Sequence, residues 1–135
     1  MKIMEEMGAL LVAAFGLASL SGVMHLVKNS AANGTLERNS ALGLKTKVTL
    51  SSDTAWASGH KAAVPWLAVC TWTGYFMGAM TAAGAVIAMA AGSVHSALWI
   101  FPITGFIAVV ALSIRATAVA NKHGREAVNS ESQKE

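Results

Sequence analysis

Charged residues are scarce in this chain and are absent from two long stretches. Only 13% of the 135 residues are Asp, Glu, Lys or Arg, whereas 54% are hydrophobic. Soluble domains commonly carry about 25% charged residues. No charged residue occurs in positions 8–27 or 62–114. This composition excludes an ordinary soluble domain.

The chain also has little of what catalytic and metal sites are built from. Its single cysteine, Cys70, excludes an internal disulfide bond and a zinc site made of paired thiolates. No paired-carboxylate site, Ser-His-Asp arrangement or phosphate-binding loop stands out. His25 and His95 are predicted to lie on opposite sides of the bilayer, so they do not form a pair of ligands. We therefore expect no catalytic residue, no metal, no cofactor and no enzyme activity.

What the chain has in abundance is uninterrupted apolar sequence. A helix needs about 20 apolar residues to cross the hydrocarbon core of a bilayer. The first run is long enough for one crossing and the second for two, with a break at 92–96. We predict an all-α integral membrane protein with three transmembrane helices at about 8–27, 65–90 and 97–118. The short break makes the second and third helices an antiparallel hairpin.

This prediction gives one membrane domain over 1–120 and a polar tail over 121–135, which is expected to be disordered. Pro65 falls in the first turn of the second helix, where its missing N–H has no intrahelical partner to lose. A cleaved signal peptide is the alternative for the first run. Glu5 and Glu6 beside Lys2, and the lack of an Ala-x-Ala site, favour an uncleaved helix.

Basic residues predict the orientation in the membrane. Five Lys or Arg residues lie in the 28–62 loop and four from Arg115 to position 135, whereas the 92–96 connection has none. The positive-inside rule therefore makes the loop and the tail cytoplasmic and puts the N-terminus outside. Orientation and contact with anionic lipid account for the pI of about 9.3. No nucleic-acid partner is expected, and the lipid bilayer is the first predicted partner.

Small residues recur every fourth position on two of the predicted helices. Such spacing lets helix backbones approach closely within a bilayer, where packing drives association. Whether the two faces meet each other, a second copy or another protein stays open. The predicted packing residues are Ala14, Ala18, Gly22, Gly74, Gly78 and Ala82, with Cys70 on the same face.

The loop is the one long polar passage between the apolar runs. Apolar and polar residues alternate over 42–50, which predicts an extended segment with one apolar and one basic edge. Such a segment either lies along the membrane surface or pairs with a partner. At the membrane surface its lysines, Lys45 and Lys47, meet lipid phosphates.

A short helix is predicted directly after that segment. Ser51 or Ser52 can cap it, and Asp53 in its first turn suits the positive end of the helix. Trp56 and His60 are four residues apart and therefore share a face. Two interpretations stay open: an interfacial helix anchored by Trp56, and a recognition surface.

These residues together resemble a signature of the SdpI/YfhL family of small bacterial membrane proteins. The pattern consists of an asparagine, a Gly-x-Lys-Thr-like run, Thr-Leu-Ser, and a Trp and His before a membrane helix. The resemblance implies a partner-binding role for Asn39, Gly43, Lys45, Thr46, Lys47, Thr49, Ser51, Trp56 and His60. It is tight over residues 38–67 and loose elsewhere, and the extra N-terminal membrane region of longer members is missing.

The resemblance implies a non-enzymatic, multi-pass protein of the bacterial inner membrane. In the best-known member, this fold confers immunity to a secreted peptide toxin and takes part in signalling by holding a repressor at the membrane. We accordingly expect a peptide or protein partner at loop 38–63. The alternative is a structural accessory subunit of a larger membrane complex, for example a respiratory or transport assembly.

Overall fold

The computed structural model describes residues 1–135 and consists of helices joined by two connections. Helix α1 spans Lys2–Ala32, α2 spans Asp53–Ala91 and α3 spans Ile100–Ser132, with a 3₁₀ turn at Ser96–Trp99 before α3. There is no β-strand. The all-helical class predicted from the apolar runs is confirmed.

Each of the three helices is long and apolar enough to cross a membrane. Only 28%, 33% and 17% of the most apolar stretch of α1, α2 and α3 is buried within the protein. Large apolar side chains such as Phe15, Phe76 and Ile107 are instead more than half exposed. A water-soluble protein hides such side chains, so their outward position fits a lipid environment.

Glycines end the first two helices in the same way. Gly34 and Gly92 have φ of 70° and 65°, a left-handed conformation that costs glycine little. After α1, Thr35 N donates to Ser30 O at 2.9 Å and Gly34 N donates to Ala31 O at 3.3 Å. Gly92 and the residue after it repeat this pair of bonds at the end of α2. Both ends are thus Schellman motifs, which satisfy the last helical carbonyls.

Helix α2 starts well before the predicted span. Ser52 caps it, because its Oγ accepts a hydrogen bond from Ala55 N at 3.0 Å. Pro65 therefore lies inside the helix and not in its first turn. The short helix predicted after Ser51 or Ser52 and the predicted second span are one element. Proline in the helix interior loses its own N–H bond and crowds the carbonyl four residues earlier, and the packing described below holds the turns before it.

Helix α3 is longer than predicted at its C-terminal end. It begins at Ile100, so Pro102 lies in the first turn, where backbone N–H groups lack intrahelical partners. It continues through Ser132, so the expectation of a disordered tail from Asn121 is wrong. Hydrogen bonds explain part of this order, since Thr54 Oγ1 donates to Glu131 Oε1 at 2.7 Å.

The chain forms two compact units. The first unit comprises Met1–Gly22 and Cys70–Val110, and its helices approach closely at small residues. Gly74 faces the Ser21 side chain so tightly that a Cβ there would collide with Ser21 Oγ. A Cβ on Gly78 would lie 3.4 Å from Ala14 O. Of the predicted packing residues, Gly78 thus packs against Ala14, and Gly74 packs against Ser21.

The other predicted packing residues occupy looser positions. A Cβ on Gly22 would lie 3.7 Å from the Tyr75 hydroxyl, an ordinary contact distance. Ala82 is half-buried and Ala18 is exposed. Cys70 is buried, and its Sγ donates to Val109 O at 3.5 Å.

The second unit, here called the loop unit, comprises Val23–Val69 and Ala111–Glu135. Its core contains Val27, Leu44, Ala63, Leu67, Ala116 and Ala120. A second set of small residues lines the contact of α2 with α3. A Cβ on Gly59 would lie 2.6 Å from Ala120 O, and one on Gly124 would lie 3.2 Å from Ala55 O. This near contact of backbones is what orders the C-terminal part of α3.

Replacing Gly59 by alanine should destabilise the protein by about 1–3 kcal/mol, because the new methyl group meets a helical backbone that cannot turn aside. The matched control is Gly8→Ala, which adds the same methyl group to a helical glycine with nothing within 4 Å. This control should be neutral or stabilising by up to about 1 kcal/mol. Loss of helicity during SDS titration from mild detergent measures both changes. Equal midpoints for the two variants would contradict the packing.

Candidate partner-binding loop

His60 fastens the loop to α2. Its Nε2 accepts a hydrogen bond from Leu44 N at 2.8 Å, and its Nδ1 lies 2.9 Å from Trp56 O. Since an amide can only donate, Nε2 carries no proton, and Nδ1–H donates to the Trp56 carbonyl. The imidazole is 1% exposed. Burial lowers the pKa of His60 below 6.5, and the bond to Trp56 opposes this only in part.

Trp56 forms the second fastening. Its Nε1 donates to Leu36 O at 2.8 Å, and its ring lies 4.0 Å from the His60 ring, centroid to centroid. Gly43 passes directly over this pair with φ of 130°. A Cβ on Gly43 would lie 2.5 Å from the Trp56 ring and 3.2 Å from His60 Nε2. Only glycine fits this position, for reasons of both conformation and space.

Two threonines shape the segment that follows. Thr49 Oγ1 donates to Leu44 O at 2.7 Å and accepts from Thr46 N at 2.9 Å. Thr46 Oγ1 accepts from Thr49 N at 3.1 Å and donates to Asn121 Oδ1 on α3. Each hydroxyl thus donates once and accepts once. This pairing ties the loop to α3 across 75 positions of sequence.

The extended segment predicted over 42–50 is wrong. Residues 47–50 form a turn, in which Leu50 N donates to Thr46 O at 3.0 Å. Leu44 and Thr49 are buried, whereas Leu50 is exposed. Period-two alternation predicts a strand only if the backbone groups pair with another strand, and here threonine hydroxyls take that role.

Surface contacts close the rim of the loop. Arg38 Nε lies 3.1 Å from Asp53 Oδ1, and Arg38 Nη1 donates to Leu50 O at 3.2 Å. Ser51 Oγ donates to Val48 O at 2.6 Å. Exposed pairs of this kind typically contribute less than about 1 kcal/mol. The buried bonds of His60 and Thr49 are therefore the main fastenings.

The nine predicted partner-binding residues fall into two groups. Thr49, Trp56 and His60 are buried, and Gly43 and Thr46 are half-buried. The side chains of Thr46, Thr49, Trp56 and His60 are hydrogen-bonded within the loop unit. The exposed residues are Asn39, Lys45, Lys47 and Ser51. The buried group sets the shape of the loop, and the exposed group is accessible to a partner.

A cavity lies beside the buried group. It has a volume of about 290 Å³ and is bounded by the end of α1 (residues 30–34), Leu36, Trp56, His60 and Lys61. A shallower depression of about 360 Å³ lies on the other side of Trp56, between residues 36–39 and Asp53. Both have mixed polar and apolar walls. They can accept a side chain of a partner, and neither contains a cluster of metal-ligating residues.

Several residues of the loop unit were not predicted to contribute. Asn121 accepts a hydrogen bond from the Thr46 hydroxyl, and the Leu36 carbonyl accepts one from the Trp56 indole. Gly59 and Gly124 permit the close contact of α2 with α3. A sequence signal existed for the last two. Ala55, Gly59 and Ala63, like Ala116, Ala120 and Gly124, recur every four residues, the same spacing that identified the predicted packing faces.

Comparison with protein-family models, curated proteins and solved structures returns no match for this chain. The resemblance of residues 38–67 to the SdpI/YfhL signature therefore stays a prediction. The geometry of the loop is independent of it.

Gly43→Ala should open the loop, because a Cβ at φ of 130° would also strike Trp56. Gly34→Ala is the matched control, since Gly34 also has positive φ but has nothing within 4 Å of its Cβ position. Limited trypsin digestion in detergent, followed at Lys45 and Lys47, should be accelerated roughly tenfold or more by G43A, a barrier change of at least about 1.4 kcal/mol. G34A should change the rate less. Identical rates would mean that Gly43 does not hold the loop.

The loop should loosen in acid. His60 precedes the charge-free run at 62–114 and so lies outside the predicted membrane span. When the loop is closed, the pKa of His60 is below 6.5, its ordinary value in the open loop. Above pH 6.5 both forms are neutral and the Leu44–His60 bond contributes fully. As the pH falls below 6.5, the open form takes up a proton first, so closure weakens by up to about 1.4 kcal/mol per pH unit.

Hydrogen exchange at the Leu44 amide, corrected for the intrinsic effect of pH, measures this change. His60→Gln keeps an acceptor and should remove the acid sensitivity, while His123→Gln should retain it. Exchange that is flat between pH 7.5 and 5.5 in the unmodified protein would refute the role of neutral His60.

Proposed function

We propose that this chain is a non-enzymatic, multi-pass protein of the bacterial inner membrane, similar to SdpI-type immunity and signalling proteins. It binds a peptide or protein partner through loop 38–63 on the cytoplasmic side. The observation that carries the proposal is that the buried side chains of Thr49 and His60 are hydrogen-bonded to the backbone of Leu44 in the loop. The Trp56 indole is likewise bonded to the backbone of Leu36, just before the loop. A loop that is already ordered loses little conformational entropy when a partner binds.

The exposed part of the loop favours a partner with acidic and apolar groups. Lys45, Lys47 and Lys61 are exposed, and the cavity beside Trp56 has a partly apolar wall. Lysines at the rim of such a site raise the association rate and select against basic partners. A small side chain of the partner then enters the cavity, which supplies specificity.

Contacts within the first unit support the predicted hairpin of α2 and α3. Later positions of α2 meet earlier positions of the 3₁₀ turn and α3, as an antiparallel pair requires. The contacts join Gly84 to Leu98, Met77 to Gly105 and Cys70 to Val109. The hairpin and the positive-inside rule together agree with a cytoplasmic loop and tail and an external N-terminus.

The test is a mild-detergent purification of the tagged protein at native expression, with mass spectrometry of stoichiometric companions. Lys45→Glu/Lys47→Glu reverses two exposed charges without touching a buried bond. Lys122→Glu/Arg125→Glu is the matched control, because it reverses two exposed charges on α3. We expect a peptide or regulator that is lost at least tenfold from the loop variant and retained by the control.

Two results would contradict the proposal. Recovery of the protein alone would leave the loop without a partner. Recovery of a defined multisubunit complex would indicate the alternative function, a structural accessory subunit whose loop lies over neighbouring subunits. Size-exclusion profiles identical to the unmodified protein verify that each variant is folded.

A further inference from the structure

A second site in the loop unit lies where the charge-free run of the sequence ends. Arg115 is the first charged residue after positions 62–114, and Trp66 lies near the start of the same run. The structure brings the two together, with Arg115 Cζ 5.0 Å from the centre of the Trp66 ring. A guanidinium at the end of a long apolar run belongs at the level of the lipid headgroups.

Trp66 is a firm support for this guanidinium. The indole is half-buried and packs against the core of the loop unit, which includes Leu67 and Ala116. Ala116 directly follows Arg115, so the two partners of the stack are attached to the same packed contact of α2 with α3. The arrangement orients the Arg115 side chain before any ligand arrives.

The stacked Arg115 retains its hydrogen-bonding capacity. Its guanidinium lies over the indole, a contact that uses none of its N–H groups as hydrogen-bond donors. Arg115 is exposed and forms no ion pair with a carboxylate of the protein. A fixed, planar donor of this kind matches the oxygens of a phosphate.

Charge in the surrounding unit also favours an anion. The loop unit contains nine Lys or Arg residues and five Asp or Glu residues. Asp53 is paired with Arg38, Glu131 accepts the Thr54 hydroxyl, and Glu126 and Glu135 lie farther along the chain toward its end. Glu37 lies in the connection after α1. None of these carboxylates neutralises Arg115.

We propose that Arg115, held on Trp66, binds the phosphate of an anionic phospholipid headgroup. The lipid supplies the missing negative charge at the level where the apolar run ends. This inference is independent of the partner proposed for loop 38–63, because it uses neither Lys45 nor Lys47.

The experiment titrates detergent-purified full-length protein with phosphatidylglycerol, and separately with phosphatidylcholine, and counts bound lipids by native mass spectrometry. Arg115→Gln should lower the retention of phosphatidylglycerol about fivefold, the effect of one basic residue near an anionic surface. Arg125→Gln is the matched control, since it removes the same charge from an exposed position of α3 without an aromatic support. It should change retention less than twofold.

Two further variants separate the support from the charge. Trp66→Phe keeps an aromatic face and should retain most of the binding, whereas Trp66→Leu keeps the charge of Arg115 and should lose part of the preference for phosphatidylglycerol over phosphatidylcholine. Helicity and size-exclusion profiles equal to the unmodified protein establish that the variants are folded. A purely structural stack would alter stability without altering this lipid preference.

The proposal is overturned if R115Q retains phosphatidylglycerol as well as the unmodified protein, or if R125Q loses as much. It is also overturned if phosphatidylcholine binds equally well, because the headgroup charge would then not matter. Inorganic phosphate is added as a competitor at the same concentration as the lipid. Full displacement by it would indicate a site for the free anion and not for a membrane lipid.

Discussion

The near contact of α2 with α3 at Gly59 is the constraint on which the loop unit depends. A glycine there lets the helix backbone come against the carbonyl of Ala120. Trp56 and His60 flank Gly59 on α2, and Asn121 directly follows Ala120 on α3. The side chains that hydrogen-bond to the loop are thus attached to both helices beside this one contact. A larger residue at Gly59 moves the two helices apart and separates the fastenings.

The three long helices were predictable because their cause is compositional. Runs without charge can be stable only in lipid or in a core, and the two runs are too long for the core of so small a chain. Ser52 as a cap, the break at Gly92 and the shared face of Trp56 and His60 also followed from local rules. The helical tail did not, because its order comes from contact with α2, and no local signal describes a contact partner.

The loop illustrates a second limit of sequence reasoning. Its residues were correctly singled out as unusual, yet the role of each was not predictable. A threonine or histidine offers the same donors and acceptors whether its partner is another protein or its own backbone. Thr49 and His60 turned inward because their hydroxyl and imidazole satisfy Leu44 on both its carbonyl and its amide. Lys45 and Lys47, which lie between Leu44 and Thr49, stay outside because burial of an unpaired charge costs too much.

The bond between Thr46 and Asn121 has a consequence for biosynthesis. Its two residues are 75 positions apart, so most of the chain is made before the bond can form. Residues 33–52 leave the ribosome before α3 is made. Thr46 therefore lacks its hydrogen-bond partner until Asn121 has been synthesised. Contacts between residues far apart in sequence form later than the local contacts of a helix, because the chain between them must first be ordered. The surface formed by the loop is therefore completed only after α3 has been made as far as Asn121.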